Sequence, residues 1–356
     1  TAAMMDGLVP ISLPRSLSGL EPAIDRILKV QTADGAIPWF EQGAWDPWNH
    51  TESAMALMAA GEVSAAAAAF DYLAASQQSD GSWLGEYGNA LPMVDRDHIS
   101  RTQAPVVKDT NFAAYPGVGI YHRFLVDGDE GEAAKFWPMI EAAMRFVGRL
   151  QTEAGDISWS AEAPGGPDDD ALLAGNASIA KSLACAIALG EAIDKPVDHL
   201  RQIRDRLVHA LRYKPDRFDR RGGGQRYAMD WYYPILAGVL PPAQAKQRFD
   251  ADWARFVVDG LGCRCVDDEP WVTVAETAEL VMAALCIGER EKAERLFETI
   301  NPVRDEAGVY WMGWQFKESL FWPLEQPSWT QAAVILAADA LWGKSAASQL
   351  LVSNAL

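Results

Sequence analysis

Two kinds of apolar pattern alternate along the chain. Six stretches, near residues 20–31, 64–78, 136–151, 197–213, 244–258 and 290–300, carry apolar residues at a helical period with polar residues between them. Ile203, Leu207, Ala210 and Leu211 show the stripe, which predicts a helix with one face in water. Six other stretches begin near His50, Asp109, Asp170, Tyr227, Val272 and Trp329 and are apolar nearly all round, as at 171–173 and 183–187. A helix of that kind is buried on both sides. The starts of the second set lie 59, 61, 57, 45 and 57 residues apart, each interval long enough for two helices and two connections.

A turn punctuates this alternation. Gln31, Asp34, Gly35 and Trp39 mark its first copy, Gln78, Asp80, Gly81 and Trp83 its second, Gln151, Gly155, Asp156 and Trp159 its third. Asp305, Gly308, Tyr310 and Trp311 form a degenerate fourth. Glycine ends a helix in the left-handed conformation and the aromatic side chain folds back on it. A supersecondary unit recurring every few tens of residues predicts stacked modules around one core. Six exposed helices alternating with six buried ones predict an all-α fold, a single (α/α)6 toroid occupying residues 1–356 as one domain. Pro and Gly clusters at 164–167 and 222–224 read as loops inside it.

The segment Phe70-Asp71-Tyr72-Leu73 followed by Gln77-Gln78-Ser79-Asp80-Gly81-Ser82-Trp83 resembles the QW repeat of squalene–hopene cyclases and other terpenoid cyclases. Protein prenyltransferase β-subunits share that toroid. The resemblance implies the toroidal fold and, as an activity, acid-initiated cyclisation or isomerisation of a terpenoid-like substrate. The cyclases' catalytic acid lies in an Asp-x-Asp-Asp motif. Here the nearest window is Pro167-Asp168-Asp169-Asp170, with proline in the first aspartate's place. The prenyltransferases' zinc ligands have no counterpart set.

Composition narrows the classes. With 31 Lys+Arg against 49 Asp+Glu the formal net charge is −18, which argues against binding nucleic acid or anionic lipid by bulk electrostatics. Hydrophobic residues make up 49% of the chain, enough for a large core. Cys185, Cys263, Cys265 and Cys286 are too few for a disulfide framework; Cys263-x-Cys265 is half a metal clip without a second half and reads as apolar filling. No run of about 18 apolar residues and no leader pattern in residues 1–14 is visible, so the expected setting is cytoplasmic. No organic cofactor and no metal are implied. The expected partner is a small lipid-like substrate or a glycan, and the oligomeric state stays open.

Polar groups gather where the buried helices begin. Asp109, Asp170 and Thr51 fit capping positions; Asp168 and Asp169 fit solvated loop charges. Glu52, Asp230, Glu276 and Glu279 lie within apolar helices, where an ionised carboxyl is costly unless paired or used. Glu276 and Glu279, three residues apart, share a helix face and would titrate together. Asp230, Glu276 and Glu279 lead as acid–base candidates, with Asp109, Glu52 and His50 behind them. Trp48, Asn111, Trp231, Tyr232, Tyr233, Trp271, Trp329 and Gln331 are the expected substrate-lining residues.

Carboxyls among aromatics suit two reactions. A protonated carboxyl starts a cyclisation while aromatic faces stabilise the cation, or two carboxyls hydrolyse a glycoside while tryptophans stack on sugar rings. The polar residues His50, Asn111, Asn176, Arg226 and Gln331 lean toward sugars and the turn repeat toward terpenoids. Cyclisation is the leading expectation, glycoside hydrolysis or a lyase reaction the alternative, and a non-catalytic binding toroid the third.

Overall fold

The computed structural model describes residues 17, 19–85, 87, 107–161, 170–222 and 224–353. Asp168, Asp169 and the first fourteen residues lie outside them. The chain is mostly helical. In order, the helices are α1 (Glu21–Val30), α2 (Pro47–Ala59), α3 (Val63–Ser76), α4 (Thr110–Ala114), α5 (Pro116–Asp127), α6 (Glu130–Arg149), α7 (Leu173–Ala192), α8 (Asp198–Tyr213), α9 (Ala228–Leu236), α10 (Pro242–Phe256), α11 (Val274–Cys286), α12 (Arg290–Ile300) and α13 (Ser328–Trp342). Short strands lie in the connections: β1 (Lys108–Asp109), β2 (Ser160–Ala161), β3 (Val257–Val258), β4 (Gly262–Cys263), β5 (Trp271–Thr273), β6 (Gly313–Gln315) and β7 (Leu320–Phe321).

The six amphipathic stretches are α1, α3, α6, α8, α10 and α12, and the all-apolar stretches supply the rest. The buried stretch expected from Asp109 is broken into α4 and α5, because Pro116 has no N–H to continue the ladder and instead opens α5. α6 starts at Glu130 rather than 136, since Asp129 accepts the Glu132 N–H at 3.0 Å and caps it there. α7 is long and apolar enough to cross a membrane by length and composition, yet 78% of its apolar window is buried inside the protein. It is a core helix.

The described residues form two compact units. The first contains those up to residue 29, residues 55–62 and those from 224 onward, the second residues 30–54 and 63–222, with the boundary running through α2. In the second unit, α7 packs on α5 and α8, and β1 pairs antiparallel with β2, Asp109 opposite Ser160. In the first unit, α11 packs on α9, α12 and α13. There β3 pairs with β4, and β5, β6 and β7 form an antiparallel sheet that opens directly into α11.

The turn repeat is a joint between neighbouring helices. Gln31 Nε2 donates to its own turn's Gly35 carbonyl at 3.2 Å and to Ala65 of α3 at 2.9 Å. Gln77 does the same to Gly81 and Met139 of α6, at 3.0 and 2.8 Å. Gln151 bonds Gly155 and Ile203 of α8, each at 2.9 Å. Glutamine stands four residues before the glycine in all three copies, so the working amide of the second is Gln77, and starting that copy at Gln78 misplaces it by one residue. Each turn glycine has positive φ and lies against the next helix's backbone, so that a Cβ would sit 2.3, 2.0 or 2.4 Å from the Ala68, Ala142 or Arg206 carbonyl oxygen. In the first unit Gly308, also at positive φ, stands against the ring of Pro22 of α1, with a Cβ 3.0 Å from Pro22 Cγ.

A Gly81→Ala change is therefore expected to cost about 4 kcal/mol, since backbone must move and φ is strained. Gly61→Ala, at φ +83 with nothing within 4 Å, is expected to cost only the left-handed penalty of about 1–2 kcal/mol. Urea melts of the two variants check the contrast. Equal losses would mean that the joint is looser than its geometry.

Candidate active site

In the second unit, three carboxyls gather around α2 and α4. The first, Asp46, precedes Pro47, the opening residue of α2. Its Oδ1 accepts the Asn49 N–H at 2.9 Å, and its Oδ2 accepts Asn49 Nδ2 at 2.6 Å and Trp39 Nε1 at 2.7 Å. The residue is 2% exposed. Burial pushes this carboxyl above the usual carboxylate range against the pull of those donors.

Asp109 ends β1 and caps α4, its Oδ1 accepting the Phe112 N–H at 3.0 Å. Burial pushes it up to about 7, the cap bonds from Phe112 and Asn111 oppose the shift, and the nearby Asp46 charge adds to it. Asn111, two residues on, has a buried Oδ1 without a hydrogen-bond partner.

Glu52 lies one helical turn past Trp48 on the same face of α2. Tyr115, between α4 and α5, stacks on Trp48 with ring centroids 3.5 Å apart, and its hydroxyl donates to Glu52 Oε1 at 2.6 Å. Burial pushes Glu52 up to about 7 despite that bond. Two half-buried carboxyls in one unit thus hold protons near neutrality, the condition a general acid needs.

The raised Glu52 pKa has a stability signature. Its contribution is fully present below the unfolded value of 4.5 and is lost as pH rises through about 7. Glu52→Gln keeps an acceptor for Tyr115 and removes the titration. Relative to wild type, the variant is expected to gain about 2 kcal/mol between pH 4 and pH 8, a figure discounted for the half-buried side chain. Urea melts at both pH values read it. A stability difference independent of pH would place the Glu52 pKa near its ordinary value.

The first unit holds a second group on α11 and α9. Thr273 Oγ1 donates to Glu276 Oε2, and Tyr232 Oη donates to Glu279 Oε1 at 2.8 Å. Tyr232 is fully buried. Burial first, then the Glu279 and Glu276 charges, push its phenol well above the usual range. The Cys265 thiol, hydrogen-bonded to Glu276, is raised in the same way, and the buried Cys263 thiol feels both glutamates. The two glutamates do share a face, as their spacing implies. The β3–β4 hairpin is held on α11 by Thr277 Oγ1, which accepts the Cys263 N–H at 2.9 Å, and Gly262 makes the close approach possible.

Other expected site residues serve the framework. His50, expected among the acid–base groups, accepts the Ile37 N–H on Nδ1 at 3.1 Å and meets the Ala69 carbonyl through Nε2 at 2.7 Å. Burial pushes it down to about 4, so it is neutral and committed to the first turn. Gln331, expected to touch substrate, accepts the Tyr310 N–H and donates to the Tyr310 and Pro327 carbonyls. Asn176 brackets Ile157 in the same way. Trp231, expected to line the cavity, is 2% exposed, stacked on Phe256, and bonded to the Arg248 carbonyl. Tyr233 is 5% exposed.

Trp271 and Trp329 are half-buried at the starts of β5 and α13, Trp271 donating to the Trp322 carbonyl at 2.7 Å. Asp170 caps no helix; it accepts the Ala171, Arg220 and Arg221 N–H groups. Arg226 pairs with Asp268 at the surface. Sequence reasoning passed over two members of the group in the second unit, Asp46 and Tyr115. Asp46 had a signal in the Asp-Pro-x-Asn string that caps α2; Tyr115 had none.

Mostly helical folds of this kind occur among solved glycosidases. A glycosidase in complex with glucose superposes with a TM-score of 0.67 at 13% identity, covering 93% of this chain and 98% of that one. A GH63 mannosylglycerate hydrolase from Thermus thermophilus, also in complex with glucose, gives 0.65 at 11% identity, covering 91% and 99%. No protein-family model matches the chain. In sequence it is 42% identical over 315 residues to the MMP endo-(1,4)-3-O-methyl-alpha-D-mannosidase of Mycolicibacterium hassiacum, covering 88% of this chain and 84% of that protein.

The chain belongs to the family of that mannosidase, a family of glycoside hydrolases. This overturns the terpenoid cyclase assignment suggested by the QW-like turns. Those turns join helices by glutamine side-chain bonds to backbone carbonyls, so they report the architecture and not the reaction.

Proposed function

We propose that the protein is an endo-acting α-mannosidase that hydrolyses internal bonds of a 1,4-linked, 3-O-methylated mannan. Kinship at 42% identity supports the substrate class. The observation that carries the chemistry is the group Asp46, Glu52 and Asp109 beside the stacked Trp48–Tyr115 pair. Asp109, protonated near neutral pH, donates to the leaving glycosidic oxygen, and the neighbouring Asp46 charge holds that proton in place until the bond polarises. Aromatic surface from Trp48 and Tyr115 suits a methylated sugar, whose faces are less polar than those of a free one.

In the other unit, Asp230, Glu276 and Glu279 are the further carboxyls we assign to the reaction, with Trp271, Trp329 and Tyr233 as lining groups. The single ring of six helical hairpins expected from the sequence belongs to this reading. The repeated turn joints and the likeness to solved glycosidases support it.

The test is incubation with 3-O-methylated and unmethylated 1,4-linked α-mannan oligosaccharides, following chain length by mass spectrometry. Mid-chain cleavage confined to the methylated series is the expected result. Cleavage of neither series overturns the reading, and equal cleavage of both removes the role of the methyl groups.

A further inference from the structure

Helix α9 carries Asp230 and Tyr232, yet it contains a proline. Pro234 lacks the N–H that would close the helical bond to the carbonyl four residues back, and its ring crowds that same carbonyl. The carbonyl belongs to Asp230. Arg248 of α10 supplies the missing donor: its Nη2 donates to the Asp230 oxygen at 2.6 Å and its Nε to the Trp231 oxygen at 2.8 Å. The clamp is reciprocal, because Trp231 Nε1 donates to the Arg248 carbonyl at 2.8 Å. The guanidinium is held largely out of water, and the Asp252 and Asp230 charges act on it. A half-buried cation committed to two backbone carbonyls gives up hydration, which is costly unless the geometry it fixes matters.

We propose that Arg248 is a positioning residue. Its guanidinium replaces the backbone donor that Pro234 lacks, and so sets the N-terminal half of α9, which bears Asp230 and the Tyr232 hydroxyl bonded to Glu279. The kinetic half of this inference rests on the assignment of those carboxyls to mannan hydrolysis; the geometric half does not. Such a residue acts through others, so its loss lowers turnover more than binding, and a displacement of about 1 Å at a reacting group costs up to about 10²-fold.

Arg248→Met keeps the stem and removes every donor. On the methylated mannan it is expected to lower kcat about tenfold or more with KM within about twofold. Pro234→Ala restores a backbone N–H where the Asp230 carbonyl needs it. The double variant is therefore expected to regain most of the lost kcat, which a purely packing role for Arg248 would not allow. Amide hydrogen exchange across residues 228–236 gives the second readout: faster in Arg248→Met, restored in the double variant.

Arg248→Lys, with one donor centre in place of the fork, is expected to fall between, and it keeps the test alive if the methionine variant does not fold. Wild-type kcat and exchange in Arg248→Met, or in Arg248→Lys should that be the folded variant, would overturn the proposal. So would a double variant no better than Arg248→Met in either readout. Loss and rescue of exchange protection in an enzyme that leaves the mannan intact would sink the substrate reading and leave the positioning role standing.

Discussion

Asp109→Asn is expected to lower kcat on a methylated mannan by about 10²–10⁴-fold, the range for loss of a general acid, with folding essentially intact. The isosteric amide still accepts the Phe112 N–H that closes the first turn of α4, and asparagine caps a helix as well as aspartate does. What it loses is the proton. Burial, reinforced by the charge on Asp46, holds that proton on Asp109 up to about 7, so the wild-type kcat/KM should fall as pH rises through that value. Glu52 is also raised to about 7, and the two are separated by substitution. Glu52→Gln should keep the descending limb, whereas any residual activity of Asp109→Asn should lack it. Wild-type turnover in Asp109→Asn would move the proton donor elsewhere, and a limb abolished by Glu52→Gln would move it to Glu52.

Glu276→Gln is the second large effect, expected at about 10²–10⁴-fold in kcat. The amide oxygen retains an acceptor for Thr273 Oγ1, so α11 begins as before. The comparison is Glu279→Gln, which keeps an acceptor for the Tyr232 hydroxyl. Circular dichroism and single-turnover kinetics on the same oligosaccharides separate a chemical loss from a folding loss. If Glu276→Gln turns over normally while Glu279→Gln does not, the essential carboxylate of this helix is the one paired with tyrosine. Normal turnover in both would confine the chemistry to Asp46, Glu52, Asp109 and Asp230.

The misreading of the reaction has a physical cause. The turn glutamines and glycines recur because each of these three joints needs a donor for a turn carbonyl and a residue without Cβ, a demand of packing and not of chemistry. Gln77 illustrates it. Four residues before its glycine, like Gln31 and Gln151, it is the amide that reaches Met139, while the adjacent Gln78 of the QW-like string does not. A motif that solves a packing problem is shared by enzymes of unrelated chemistry.

The sequence by itself determined the alternation of half-exposed and buried helices and where the turns fall, though not the start of α6 or the break at Pro116. Those properties follow from periodicity and from glycine, both written locally along the chain. It also determined that carboxyls stand inside apolar helices at 52, 230, 276 and 279. Only the tertiary structure decided which polar groups act on one another. Glu52 meets Tyr115, 63 residues away, and Tyr232 meets Glu279, 47 residues away. His50, Asn176 and Gln331, which read like site residues, were taken up by the backbone of the turns. Burial can be read from the chain because it averages over a face, but a hydrogen bond or a shifted proton depends on single atoms brought together by the fold.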